Sequence, residues 1–382
     1  MQITEFSVEV LTFHGLTFCL GLLVVWRFVA RLPVRRALKL ALAALVLVVS
    51  ARYLFSQILF GSMDTMELPR PLIIVINWLF SSVLLLAVFQ IALDLLTVLQ
   101  SILARRWILP APVWRWALGA IALILSAYGV TQALRIPTAT TVEIAVDGLP
   151  PEFDGYRILQ LSDLHISTLF HAPWVSSMVD AANKEAADVI VISGDLVEGS
   201  LDARHEDVQP LQRLRAPDGV FMSPGNHEYY FDYAGWMARF AALGLHPLAN
   251  SHVVIRRQGA EIVLAGVTDA TAISTGLPGP DVQKALAGAP PNIPVVLLAH
   301  QPGLAPAAAE AGASVQLSGH THGGMIVGLR SIVASANSGF VSGLYEVNGM
   351  PLYVSNGTAL ASGFAVRLGV PSEMTMVVLR AR

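Results

Sequence analysis

Charge is what this 382-residue chain has least of: Asp, Glu, Lys and Arg make up 13% of it, against 54% hydrophobic residues and a mean hydropathy of +0.60. That balance excludes an ordinary soluble enzyme of this length. Cysteine is nearly absent, and the single Cys19 rules out an intrachain disulfide. Acids are scarce in the first third: residues 1–135 hold five (Glu5, Glu9, Asp64, Glu67, Asp94) against eleven Lys or Arg, whereas the rest holds 22 acids against 13 bases. The net charge of −3 thus averages a part at +6 with a part at −9. An acidic second part offers no basic track for a phosphate backbone, which argues against nucleic acid as a partner. The first apolar run has neither a basic start nor a small-residue cleavage site before Arg31, so it does not read as a cleaved signal peptide.

The excess of apolar residues is gathered into four runs, near residues 8–29, 37–60, 72–96 and 113–134. Each reaches the ~20 residues that cross a bilayer, so residues 1–135 are expected to form a four-span transmembrane domain and 136–382 a separate globular domain. The first connection carries Arg31, Arg35, Arg36 and Lys39, and the third carries Arg105 and Arg106. The second, "GSMDTMELPRP", has two acids and one Arg70, and the N-terminus has Glu5 and Glu9 with no base. Under the positive-inside rule both ends of this domain lie outside, in a two-membrane bacterium on the periplasmic side of the inner membrane. The "PRP" at 69–71 and "PAP" at 110–112 break helices between spans. Asp94, inside the third run, needs a cation, and Arg27, Arg31 or Arg106 are candidates.

Nine of the ten histidines lie after residue 160, and five of them fall into short motifs that follow apolar, strand-like runs. In order these are "SDLHIS" (Asp163, His165), "SGDLVEG" (Asp195), "GNHEYY" (Asn226, His227), "LLAHQP" (His300) and "GHTHGG" (His320, His322). Imidazole, carboxylate and carbonyl oxygen together suit borderline first-row divalent metals such as Mn, Fe or Zn. Strands alternate with helices, predicted near 173–186, 208–214, 281–286 and 304–311, which implies layered sheets flanked by helices.

The set D-x-H, G-D, G-N-H-E, H, G-H-x-H resembles the calcineurin-like metallophosphoesterases over roughly residues 141–382. The lead-in "LPPEFDGYRILQLSDLH" and the tail "YVSNGTALASGFAVRLGVPSEMTMVVL" are similar to its membrane-associated YkuE-like and UDP-diacylglucosamine hydrolase-like branch. The resemblance implies an α/β fold of two packed mixed β-sheets flanked by helices, with ligands on strand-end loops. It implies two divalent metal ions, with Asp163, His165 and His322 on one, Asn226, His300 and His320 on the other, and Asp195 bridging. His227 is then the residue that protonates the leaving group or stabilises transition-state charge. Glu228 is expected to orient a ligand from outside the coordination sphere. His171 and Arg367 are candidates for substrate contact, with a solvated helix-start residue and a structural ion pair as the plainer alternatives. Leu169, Phe170 and Trp174 could form an apolar mouth for a lipid chain or a hydrophobic staple on the next helix.

The expected function is that of a membrane-anchored phosphoesterase cleaving phosphate ester or pyrophosphate bonds, its substrate a phosphorylated or lipid-linked molecule at the bilayer. The alternatives are a broad phosphodiesterase or phosphatase of soluble esters, and a membrane sensor or transporter with a regulatory metal domain. Nothing in the sequence sets the oligomeric state.

Overall fold

The computed structural model describes residues 8–62, 65–108 and 111–382. Glu5 and Asp64, which bear on orientation, and Pro110, expected to break a helix, lie outside the described residues. The chain divides into two compact units, Met1–Thr131 with Gly363–Val366, and Gln132–Ser362 with Arg367–Arg382. The tetrapeptide 363–366, placed by sequence in the globular part, belongs with the helical unit.

The first unit is built from α1 (Val8–Arg27), α2 (Arg36–Ser50), α3 (Arg52–Phe60), α4 (Arg70–Leu103) and α5 (Pro112–Ala133). Among the described residues, three helices are long and apolar enough to cross a membrane: Phe13–Arg31, Arg70–Leu103 and Pro112–Ala133. The run expected as one span over 37–60 is instead the pair α2 and α3, bent by 55°, and counts as a fourth span if the pair crosses as one. At the break the Ser50 hydroxyl donates to the Val46 carbonyl at 2.7 Å, a back-bond that also occurs within the continuous α4 at Ser82, Thr97 and Ser101. Asp94 is paired by Arg27 through two bonds of 2.8 and 2.7 Å, which answers the buried charge at its own depth. Arg52 and Asn77 are also accounted for. Arg52 and the Tyr53 hydroxyl donate to the Gly363 carbonyl, the latter at 3.1 Å. Asn77 Oδ1 accepts from the Ala365 amide at 3.0 Å.

The second unit holds twelve strands in two six-stranded sheets. One runs β1 (Ala139–Val146), β12 (Met374–Ala381), β2 (Arg157–Leu161), β3 (Val189–Ser193), β4 (Val220–Ser223), β5 (His246–Pro247). The other runs β10 (Gly343–Val347), β11 (Met350–Val354), β9 (Val315–Ser318), β8 (Val295–Leu298), β7 (Ala260–Gly266), β6 (Ser251–Arg257). Neighbours β2, β3, β4 and β5 are parallel, as are β7, β8 and β9, while β12–β2, β6–β7 and β10–β11 are antiparallel. Alternation along the strands sets the layers. Ile158, Val189 and Val191 of the first sheet meet Leu264, Val296, Leu298, Val315 and Leu317 of the second in one core. On the far side of the second sheet, Val263, Val295 and Leu297 pack with Ala305 and Ala308 of the helix Ala305–Glu310. Burial of both faces explains why the strands read as continuous apolar runs, and ligands belong at the carboxyl edge of such parallel strands.

Candidate metal centre

Every predicted ligand sits just past the carboxyl end of a parallel strand: Asp163 and His165 after β2, Asp195 after β3, Asn226 after β4, His300 after β8, and His320 and His322 after β9. Five of these seven residues have left-handed backbone, with φ of 54° at Asp163, 41° at His165, 56° at Asp195, 73° at His320 and 50° at His322. Such conformations cost about 1–3 kcal/mol each and persist only where the surroundings over-determine them. Gly194, at φ +87°, belongs to the same set for a second reason: a β-carbon there would run into the His300 ring.

The side chains converge in two groups. In one, His165 Nε2 lies 3.3 Å from His322 Nε2 and 3.9 Å from Asp163 Oδ1, and His322 Nε2 lies 3.7 Å from Asp163 Oδ1. In the other, Asn226 Oδ1 lies 3.1 Å from His300 Nε2 and 3.0 Å from His320 Nδ1. Asp195 Oδ2 faces both groups, 3.7 Å from His165 Nε2 and 3.1 Å from His300 Nε2. Ligands held about 2.1 Å from a common ion sit about 3.4 Å apart, so these separations match two coordination shells sharing one carboxylate.

Tautomers sharpen the fit. His300 Nδ1 is 2.8 Å from the Ser193 carbonyl and must donate to it, so its Nε2 presents a lone pair. Nε2 then faces Oδ1 of Asn226 and Oδ2 of Asp195, an arrangement that suits a cation, metal ion or proton, where the three meet. The residues therefore fit a pair of divalent cations. With protons as the only positive charges, burial would lower His165, but the Glu198 carboxylate on its Nδ1 pushes it up to about 9. His300 is raised well above the ordinary imidazole value by Asp195 against the opposing effect of burial. His322, buried and facing His165, is held well below it.

His227 donates its backbone N–H to Asp195 Oδ1 at 2.9 Å, and its ring packs edge-on to His165 at 4.5 Å and to Tyr230 at 5.1 Å. Its Nε2 lies 3.9 Å from Asp195 Oδ2, beside both groups. Glu228 fastens the two loops together: its carboxylate accepts from the Gly225 amide at 2.7 Å, from Leu196 at 2.7 Å and from Asp195 at 3.2 Å. Burial, with Asp195 nearby, pushes Glu228 up to about 7.

The expectation that Arg367 contacts substrate is corrected. The side chain is 1% exposed, and its terminal nitrogens donate to carbonyls of His322 at 3.1 Å, Asn356 at 2.6 Å and Ala359 at 3.1 Å. It ties the turn that carries His322. His171 caps the start of the helix Ala172–Lys184 without a side-chain cap bond. Leu169, Phe170 and Trp174 are all buried, and Phe170 packs on Trp174 at 4.9 Å, which favours the packing alternative over an apolar mouth. Sequence reasoning passed over Glu198, fully buried, whose Oε1 stands 3.1 Å from His165 Nδ1. Its place three residues past Asp195 was the one available signal.

The architecture and site define a two-sheet α/β domain with two adjoining ligand groups that fit a pair of metal ions. Residues 156–324 match the family described as calcineurin-like phosphoesterase, and the chain carries a domain of that family, whose members use two metal ions. It is 38% identical over 273 residues to a bovine (Bos taurus) transmembrane protein with metallophosphoesterase domain, covering 68% of this chain and 61% of that protein. It is 32% identical over 253 residues to a metallophosphoesterase of Helicobacter pylori, covering 66% of each. It is 28% identical over 275 residues to the metallophosphoesterase YkuE of Bacillus subtilis, covering 69% of this chain and 94% of YkuE. The chain thus spans less than two thirds of the length of the bovine relative.

Proposed function

We propose that this chain is a membrane-anchored, dinuclear-metal phosphoesterase that hydrolyses a phosphate ester or pyrophosphate bond, with a lipid or lipid-linked substrate. The observation that carries the reaction class is the pair of converging ligand groups with Asp195 Oδ2 facing both. Asp163, His165 and His322 would hold one ion, Asn226, His300 and His320 the other, and Asp195 would bridge. When bound, the ions supply an activated water and clamp the oxygens of an in-line displacement. The protein's own part is positioning and proton transfer. Ser193 and Glu198 fix the ring orientation of His300 and His165, and Glu228 locks the Asp195 and Asn226 loops together. His227, beside both groups, is placed to give a proton to the leaving oxygen.

The lipid reading is supported by the covalent arrangement: only residues 134–138 separate α5 from β1, so the same short chain that ends the apolar helices begins the hydrolase. The basic first and third connections support placing the hydrolase on the outer face, periplasmic in a two-membrane bacterium.

The test assays purified full-length protein with Mn against a chromogenic phosphodiester and then against extracted lipids, with Asp195→Asn and His227→Ala. Both variants lose activity, and metal content falls mainly in Asp195→Asn. Activity retained in either variant overturns the assigned roles, and equal turnover of soluble esters and lipids overturns the lipid reading.

A further inference from the structure

The helical unit contains a site of its own. Where α1 ends, Arg27 pairs with Asp94 of α4, and Arg31 lies within Coulombic range of Arg27, Asp94 and Arg115. Arg27 already engages both oxygens of that carboxylate, and Arg31 stands as a second cation beside it. Arg115, on the first turns of α5, is 8% exposed and its Nε has no hydrogen-bond partner. No carboxylate among the described residues pairs with Arg31 or Arg115. Lone buried arginine in an apolar helix bundle is costly, and a missing anion is the simplest partner for it.

Directly alongside is a cavity of 160 Å³, lined by Val24, Phe28, Leu32, Val46, Val83 and Gly119 among others, with Ser82 its one polar residue. Val29 and Leu32 of its wall lie either side of Arg31 in sequence, and Gly119 lies one helical turn from Arg115 on the same face of α5. A dry, hydrocarbon-lined hole of about 150 Å³ admits a small apolar group rather than water, so this one has room for a short length of acyl chain.

We propose that this end of the helical unit binds one anionic phospholipid, its phosphate on Arg31 and Arg115 and the first part of one acyl chain in the adjoining cavity. The phosphate answers the two uncompensated guanidiniums with bidentate geometry, and the chain fills space that nothing in the protein fills. The surrounding helix surfaces, with Leu16, Trp26, Leu40 and Leu95 exposed, are those of a protein already in lipid. The site is separate from the metal centre and does not depend on the reaction proposed there.

The experiment uses the full chain in detergent, melted with vesicles of phosphatidylglycerol or of phosphatidylcholine, with bound lipid counted by native mass spectrometry. Phosphatidylglycerol should bind selectively and raise the melting temperature more than phosphatidylcholine. Arg31→Gln and Arg115→Gln should each weaken that binding roughly fivefold, as expected for one basic contact to an anionic lipid. Arg115→Lys should keep most of it. Ala122→Leu, which fills the cavity, should weaken it with all arginines present. Glycerol 3-phosphate, carrying the phosphate without a chain, should give no shift. Equal response to the two lipids, an equal shift with glycerol 3-phosphate, or full selectivity in Arg31→Gln overturns the proposal. Because Arg31 is exposed, that last variant remains decisive even if Arg115→Gln does not fold.

Discussion

Replacing Glu198 by Gln tests whether the centre is tuned from outside its ligands. The carboxylate is fully buried: Oε1 stands 3.1 Å from His165 Nδ1 and 4.0 Å from His227 Nδ1, and Oε2 accepts from the Ser362 hydroxyl at 2.7 Å. The Ser362 amide also points at both oxygens, 3.2 Å from each. Glutamine preserves the shape but has only one acceptor oxygen. If its oxygen takes the His165 N–H, its NH₂ faces the N–H of Ser362; if it turns over, its NH₂ faces His165. In the first case the Ser362 hydroxyl can turn to accept from that NH₂, but in either orientation the negative charge that makes His165 a stronger ligand is gone. The carboxylate approaches His165 Nδ1 as an ion pair, so the expected loss is the smaller end of what outer partners of a metal-bound histidine contribute, about 1.4 kcal/mol. That corresponds to about tenfold in affinity, at the lower end of the 10–100-fold usual for outer partners of metal-bound histidines.

The effect should be asymmetric, because His165 faces His322 and Asp163 while the Asn226, His300 and His320 group has its own anchor at Ser193. Titrating apoprotein with zinc against a chromophoric chelator should therefore show one site weakened about tenfold and the other unchanged. Turnover of a chromogenic phosphodiester should recover at high metal concentration. Two affinities within twofold of wild type, or an equal fall in both, would refute the assignment of Glu198 to one ion.

Two further outcomes follow from the same geometry. Gly194→Ala, at φ +87° and against the His300 ring, should cost about 2–4 kcal/mol through backbone strain and overpacking, measured by chemical denaturation of the metal-loaded protein; unchanged stability would mean the loop is free to relax. Arg27→Ala leaves Asp94 with Gln90 and the more distant Arg31 as its partners and should lower the yield of folded membrane protein, while Arg27→Ala with Asp94→Ala should restore much of it; equal yields from single and double variants would show that the ion pair does not hold α1 to α4.

The ligands were legible because each depends on local chemistry. A strand's apolar run ends, a Gly, Asp, Asn or His follows, and the parallel sheet carries every such end to one edge; seven polar residues spread over 160 positions meet without any of them needing a distant partner to be recognised. Arg367 was misread because its role depends on carbonyls of His322, Asn356 and Ala359, and a sequence gives no sign of which backbone oxygens a guanidinium will reach. The same reason hid Glu198, whose partners are His165 upstream and Ser362 far downstream. In the helical unit, hydropathy found the apolar runs but not the bend at Ala51, since both halves of the bent pair are apolar. Nor could it place Gly363–Val366, which joins α3 and α4 through Arg52, Tyr53 and Asn77 across some 300 residues of sequence. Local chemistry is thus readable wherever a residue acts through its own side chain at a strand end. It fails where a residue's task is to hold another, and those holding residues, Glu198 and Arg367 above all, are where mutation should separate positioning from ligation.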